Sequence, residues 1–283
     1  MAYFITLGLI YPIIRGALKR MRLFAELYPD FQNGARVVHQ LPWGQIIVLL
    51  HKAKTPEVRE WYAVQTIENG WSRDRLAQMI DSSLYERQAL PQHKTSNFLN
   101  KLPAPHAQLA QEMQKNPYNF DFMGLTGEAN ERQIEIAGVT DIRTLLMELG
   151  KGFAFLGNQV PIEVDGKEYF LDMLFYHVRL HSYIVVELKA NSFEPEHAGK
   201  LNFYLNAVDH QMKMPEDNPS IGLLLCQGHS KIVAEYSLQT IDKPIGISNY
   251  ELTKHLPDIM KSDLPSIEEI EEELKRLTIE KDK

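Results

Sequence analysis

The chain has 283 residues, 44% of them apolar, and a formal net charge of −7, which supplies core-forming material for one large or two ordinary domains and excludes a disordered protein. A single cysteine, Cys226 in the run IGLLLC, excludes an internal disulfide and any multi-cysteine zinc or iron–sulfur site, and fits a reducing, cytoplasmic compartment. Residues 1–100 carry 12 Lys+Arg against 8 Asp+Glu and the remainder 18 against 29, a mild basic bias at the front that solvated charge explains nearly as well as a polyanionic partner.

The opening run MAYFITLGLIYPIIR is apolar for fourteen residues before Arg15. It is too short for a membrane span and lacks a basic leader and a cleavage site, so no membrane partner is expected. From Gly16 to Tyr28, Leu18, Met21, Phe24 and Ala25 recur at helical spacing, and Pro29 ends that helix. Pro42 stands where a first helical turn tolerates it, ahead of the apolar WGQIIVLLHK. Pro56 opens a third helix that Asn69-Gly70 stops, and Ser72 starts a fourth whose apolar stripe is Leu76, Met79, Ile80 and Leu84. Trp43, Trp61 and Trp71 fall in these apolar patterns and read as packing residues. A helix, an Asn-Gly break and a second helix with Arg73 and Arg75 in its first turn also resemble a helix-turn-helix DNA reader, although any small bundle has such a corner.

Between Gln88 and Asn119 the periodicity is lost and Pro91, Pro103, Pro105 and Pro117 accumulate, which reads as a connection between domains. Beyond it DIRTLLMEL, Asp141 to Leu149, is a short helix stopped by Gly150. Strands follow at Phe153–Val164, Tyr169–His177 and Tyr183–Lys189, with Asp165-Gly166 as the turn between the first two. A helix over Glu196–Met214, a strand over Ser220–Cys226, a smaller helix and a strand over Pro244–Ser248 complete an α/β layer arrangement around a mixed sheet. SIEEIEEELKRL, Ser266 to Leu277, reads as an acidic, solvated or docking helix.

Chemistry concentrates in FLDMLFYHVRLHSYIVVELKA, Phe170 to Ala190. Val185 and Val186 mark a strand covered on both faces, where a charged pair is costly unless something neutralises it. Glu187 and Lys189 are two apart and share one face of that strand, and a hairpin through Val178–Ser182 brings Asp172 beside Glu187. Two carboxylates at one point hold a hard cation, and a neighbouring ammonium steers a phosphate. The residues alone fit a neutralising structural ion pair equally well. The tail contains a second ELK at Glu273–Lys275, but on a helix those residues do not share a face. His177 and His181 flank the hairpin connection and, without a third ligand, read as polar loop residues rather than a zinc site.

The order of elements with Asp172, Glu187 and Lys189 resembles the PD-(D/E)XK nuclease superfamily. More narrowly, GKGFAFLGNQ, FLDMLFYH, ELKANSFEPEHAGKLNFYL, ENGWSRDRLAQMIDSSLYER and LPSIEEIEEEL are similar to the YhcG family of bacterial proteins. The resemblance implies an α+β two-domain protein, with an N-terminal small helical, winged-helix-like domain and a C-terminal α/β restriction-endonuclease-like core built on a mixed sheet. Its expected extents are 1–100 for the helical domain, 101–133 for the connection, 134–257 for the nuclease-like domain and 258–283 for the acidic tail. Carried over by position, Asp172 and Glu187 are metal ligands with Glu148 as a further acid, Lys189 orients the attacking water or stabilises the developing charge, and Gln159 supports the site. Mg2+ is the implied cofactor, with Mn2+ able to substitute, and DNA the implied substrate, with Arg73, Arg75 and Lys200 as candidate phosphate contacts. The pattern departs at the front, where family members carry extra helices before Arg20–Arg22, and a shortened helical domain is expected. The leading expectation is a metal-dependent DNA nuclease, for which a homodimer would suit cutting of two strands. The alternative is a non-catalytic nucleic-acid-binding or protein-docking module that meets protein partners through the helical domain or the acidic tail.

Overall fold

The computed structural model describes residues 16–28, 37–90, 94–125 and 127–252. The apolar run 1–15, Pro29, Pro91 and the acidic segment 266–277 lie outside the described residues. The front of the chain is helical: α1 (16–27), α2 (Trp43–Lys52), α3 (Pro56–Asn69), α4 (Arg73–Asp81) and α5 (Leu84–Gln88). Local signals set the boundaries. The Thr55 side chain caps α3 ahead of Pro56, Gly70 ends it in the left-handed conformation at φ 63°, and the Ser72 hydroxyl accepts the Arg75 N–H to start α4. These helices share a core of Leu49, Tyr62, Ala63, Leu76 and Leu84. Trp61 packs edge-on against Tyr62 and Tyr85, and Trp43 against Phe24, as packing residues do.

The segment expected as a connection is folded. It contains β1 (Thr95–Ser96), α6 (Phe98–Lys101), α7 (Ala104–Met113), β2 (Tyr118–Asn119) and the start of α8 (Glu131–Thr140). Pro103 is the residue before α7 and Pro105 lies in its first turn, where a missing N–H costs no hydrogen bond, so two of the supposed breakers are helix starters. Phe98, Ala110, Tyr118 and Phe120 are buried against the sheet.

That sheet runs in the order β1-β7-β6-β5-β4-β3, with β2 beside β7. Its remaining members are β3 (Phe153–Val164), β4 (Lys167–His177), β5 (Ser182–Ser192), β6 (Ile221–Gly228) and β7 (Ile245–Glu251). The β3–β4 and β4–β5 pairs are antiparallel hairpins, whereas β5, β6 and β7 run parallel through the crossover helices α10 (Pro195–Gln211) and α11 (Lys231–Gln239). Helix α9 (Ile142–Leu149) joins α6, α7 and α8 on one face, and α10 with α11 covers the other. A Cβ at Gly222 on β6 would stand 2.7 Å from Leu201 Cδ2, so glycine there lets α10 lie close on the sheet. Among the described residues no helix is long and apolar enough to cross a membrane.

A buried charge cluster joins the helical region to the sheet. Arg87 on α5 donates to Glu148 Oε1 on α9 at 2.6 Å, with both side chains 7% exposed, and to the Pro117 carbonyl at 3.1 Å. The Asn119 N–H donates to the same carboxylate oxygen, and the Lys115 ammonium donates to the Glu148 carbonyl. Burial lowers the Lys115 pKa to about 8, against the pull of Glu148. Arg75 also sits in the field of Glu148, and burial lowers its pKa. Removing the carboxylate strands buried cations, so Glu148→Ala is expected to cost about 3–5 kcal/mol of stability in urea denaturation; a loss below about 1 kcal/mol would show that the cluster does not hold the two regions together.

Candidate functional site on strands β4 and β5

The hairpin register that pairs Met173 with Val186 sets Asp172 opposite Glu187. Strand β5 is interior to the sheet and almost wholly buried from Ile184 to Lys189, so Glu187 is withdrawn from bulk water, while Asp172 on β4 is partly buried. Asp172 Oδ2 accepts the Leu188 N–H at 2.8 Å. Burial first, and the Glu187 charge second, push the Asp172 carboxyl up to about 6, while the Leu188 N–H, Lys189 and Lys200 act in the opposite sense.

Glu187 has no exposed surface. Its Oε1 accepts from two ammoniums, Lys189 Nζ at 3.2 Å and Lys200 Nζ at 2.7 Å, while Oε2 is buried without a hydrogen-bond partner. The Lys189 ammonium also donates to the Leu188 carbonyl at 2.6 Å and to Glu131 Oε2 at 3.2 Å. Glu131, the first residue of α8, uses its other oxygen to accept the Ala190 N–H at 3.2 Å, and the Tyr250 hydroxyl donates to the Lys189 carbonyl. Lys200 reaches the site from the second turn of α10, its Nζ 5.1 Å from the Tyr204 ring centroid. Burial opposes its charge, but Glu187 and Tyr204 together hold its pKa above the ordinary value.

Comparison with known proteins shows the family to which the chain belongs. Residues 111–265 match the family described as YhcG PDDEXK nuclease domain, and residues 14–87 match the DUF1016 N-terminal domain. The chain belongs to the YhcG nuclease-domain family. It is 32% identical over 218 residues to the Escherichia coli (strain K12) protein named "Putative nuclease YhcG", covering 77% of this chain and 57% of that one, so it spans little more than half the length of that relative. Two solved structures overlap it in part. One, described as "crystal structure of a repair endonuclease from Pyrococcus abyssi", is 13% identical over 44% of this chain and 47% of that one, with a TM-score of 0.32. The other, "Structure of EndoMS-dsDNA2 complex", is 17% identical over 46% and 47%, with a TM-score of 0.34.

Within this YhcG-type core the structure brings Asp172, Glu187, Lys189 and Lys200 together. Gln159 lies on β3 between the residues paired with Met173 and Leu171, hence level with Asp172, but its amide donates to Glu135 Oε2 at 2.9 Å. Its φ of 48° breaks the strand alternation, and Asn158 beside it reaches Glu135 Oε1 at 3.0 Å. Glu148 is not brought to the carboxylate pair. Its carboxylate is taken up by Arg87 and the Asn119 N–H, and it is not among the groups that act on Asp172. Arg73 and Arg75 lie on α4 in the helical region; Arg73 is exposed and paired with Asp74. The sequence reading missed Glu131 and Glu135. Their signal is the Asn130-x-x-Gln133 capping box, present in the structure, which starts a helix with both acids one turn apart.

The histidines at the far end of the hairpin stay outside the site. His177 is 1% exposed and its Nδ1 accepts the Leu180 N–H at 3.2 Å. Burial lowers its pKa from 6.5 to about 4, against a hydrogen bond with the Lys151 backbone. Because the folded pKa lies below the unfolded one, stability is complete above pH 6.5 and falls as pH drops toward 4, by up to about 3 kcal/mol. Urea denaturation across that range, with the folded imidazole followed by NMR, tests this; an unshifted ring would refute it.

Proposed function

We propose that the chain hydrolyses DNA phosphodiester bonds with a divalent cation, Mg2+ or Mn2+, held by Asp172 and Glu187. The observation that carries this is Glu187 Oε2, a carboxylate oxygen without a partner, on a side chain with no exposed surface and level with a second, partly buried carboxylate. A purely structural ion pair gains nothing from such an atom, since an unsatisfied buried acceptor is destabilising. Among the described residues no three His, Cys, Asp or Glu side chains gather as a complete cage. That fits a hard cation completed by water and substrate oxygens, which is how Mg2+ is ordinarily bound.

When bound, the cation supplies Lewis acidity toward the phosphate and makes water a competent nucleophile near neutral pH. The chain's own groups do the positioning. The Leu188 N–H fixes Asp172, and Glu131 with the Leu188 carbonyl fixes the Lys189 ammonium beside Glu187. There the ammonium orients water or stabilises charge that develops on the phosphate. Arg73, exposed at the start of α4, is the candidate backbone contact most open to a polyanion, while the half-buried Arg75 faces Glu148.

The test is cleavage of duplex, branched and single-stranded DNA, and of RNA, with Mg2+, Mn2+ or chelator. Asp172→Ala and Lys189→Ala are each expected to lower the rate at least roughly 100-fold with folding retained. Cleavage that persists in both variants would remove these residues from the site. DNA binding by the wild type without cleavage of any form would favour a docking module that retains the nuclease fold, and preferential cleavage of RNA would replace the substrate.

A further inference from the structure

Two lysines neutralise one buried carboxylate oxygen, and they are held very differently. Lys189 is 10% exposed and its ammonium has three oxygen acceptors, from Glu131, Glu187 and the Leu188 carbonyl. Lys200 is 47% exposed, and its bond to Glu187 Oε1, at 2.7 Å, is nonetheless the shorter of the two. Withdrawing Lys189 would leave Glu131 and the Leu188 carbonyl without their donor. Withdrawing Lys200 frees Glu187 alone among the buried groups and returns an already half-exposed ammonium to water, with Tyr204, whose ring centroid is 5.1 Å from Nζ, as its remaining neighbour.

We propose that Lys200 is an internal counter-ion: its ammonium neutralises Glu187 while the site is empty, and it is the group that a divalent cation displaces. This rests on the reading that Asp172 and Glu187 hold such a cation. Charge balance supports the exchange. Asp172, Glu187 and Glu131 face Lys189 and Lys200, three carboxylates against two ammoniums. A dication added with Lys200 in place would set three cations around Glu187, whereas moving Lys200 outward relieves that repulsion. The displaced ammonium then stands toward solvent, the side to which Lys200 is already 47% exposed. Lys200 is thus a positioning residue with two stations, and its presence lowers cation affinity in return for a neutralised empty site.

The experiment is titration of the full chain with Mn2+ by calorimetry, starting from metal-free protein, with thermal unfolding in parallel. Lys200→Met is expected to bind Mn2+ roughly tenfold tighter than wild type, since the cation no longer competes with a charged hydrogen bond. Its metal-free form should melt earlier, and the deficit should shrink in saturating Mn2+. Lys200→Arg, which keeps the charge, should restore near wild-type affinity and stability. Should Lys200→Met not fold, Lys200→Gln carries the same comparison. Unchanged or weaker Mn2+ binding in the neutral variant overturns the proposal while leaving the cation reading intact, provided wild-type binding is lost in Asp172→Asn. Wild-type protein that binds no Mn2+, or binds it equally in Asp172→Asn, overturns the cation reading and this proposal with it.

Discussion

Glu187 lies on an interior strand with no exposed surface, and an ionised carboxylate in that position is tolerated only where cations face it. Much of the architecture near the site answers that requirement. Strand β5 carries its own cation two residues on, at Lys189, because side chains two apart share a face. The parallel crossover from β5 to β6 lays α10 against the same face and delivers Lys200. Close seating of that helix depends on Gly222, where a side chain would collide with Leu201. The antiparallel hairpin on the other side sets Asp172 level with Glu187. A second carboxylate makes the neutralisation harder: burial first and the Glu187 charge second raise the Asp172 pKa.

The acids of α8 form a second layer. Glu131 ties the helix start to Lys189 and to the Ala190 N–H, and Glu135, one turn later, is held by Asn158 and Gln159. Neighbouring strand residues ordinarily point to opposite faces. The left-handed backbone at Gln159, close to the irregularity between Phe155 and Gly157, turns both amides toward one carboxylate. Strand β3 therefore fixes where α8 sits, and α8 in turn fixes the ammonium of Lys189.

The central pair and its lysine were legible in the sequence because a Glu-x-Lys on a strand of branched apolar residues is costly and therefore conspicuous, and because Asp165-Gly166 announced the preceding turn. The strands from Phe153 onward were legible for the same reason of pattern. What stayed hidden depended on tertiary placement. Prolines at 103 and 105 looked like breakers, yet one precedes a helix and the other occupies its first turn, which concealed the folded stretch that leads to Glu131. Glu148 precedes the first core strand in sequence, but nothing in the sequence tells that Arg87 and the Asn119 N–H will claim its carboxylate. Lys200 was legible as a candidate phosphate contact but not as a partner of Glu187, because periodicity cannot separate the part of a polar helix side that meets water from the part that meets a strand end.

The contact between Arg87 and Glu148 bears on how the chain can be dissected. A boundary drawn between the helical region and the sheet would cut through a pair of charges that have given up their hydration for each other. The sheet portion expressed alone would keep Glu148 beside Lys115 but lose the guanidinium that meets it at 2.6 Å, and the helical portion would expose Arg87 without its acid. The two sequence-defined modules are thus interlocked rather than strung like beads, and a fragment made for convenience would differ from the same residues in the intact chain.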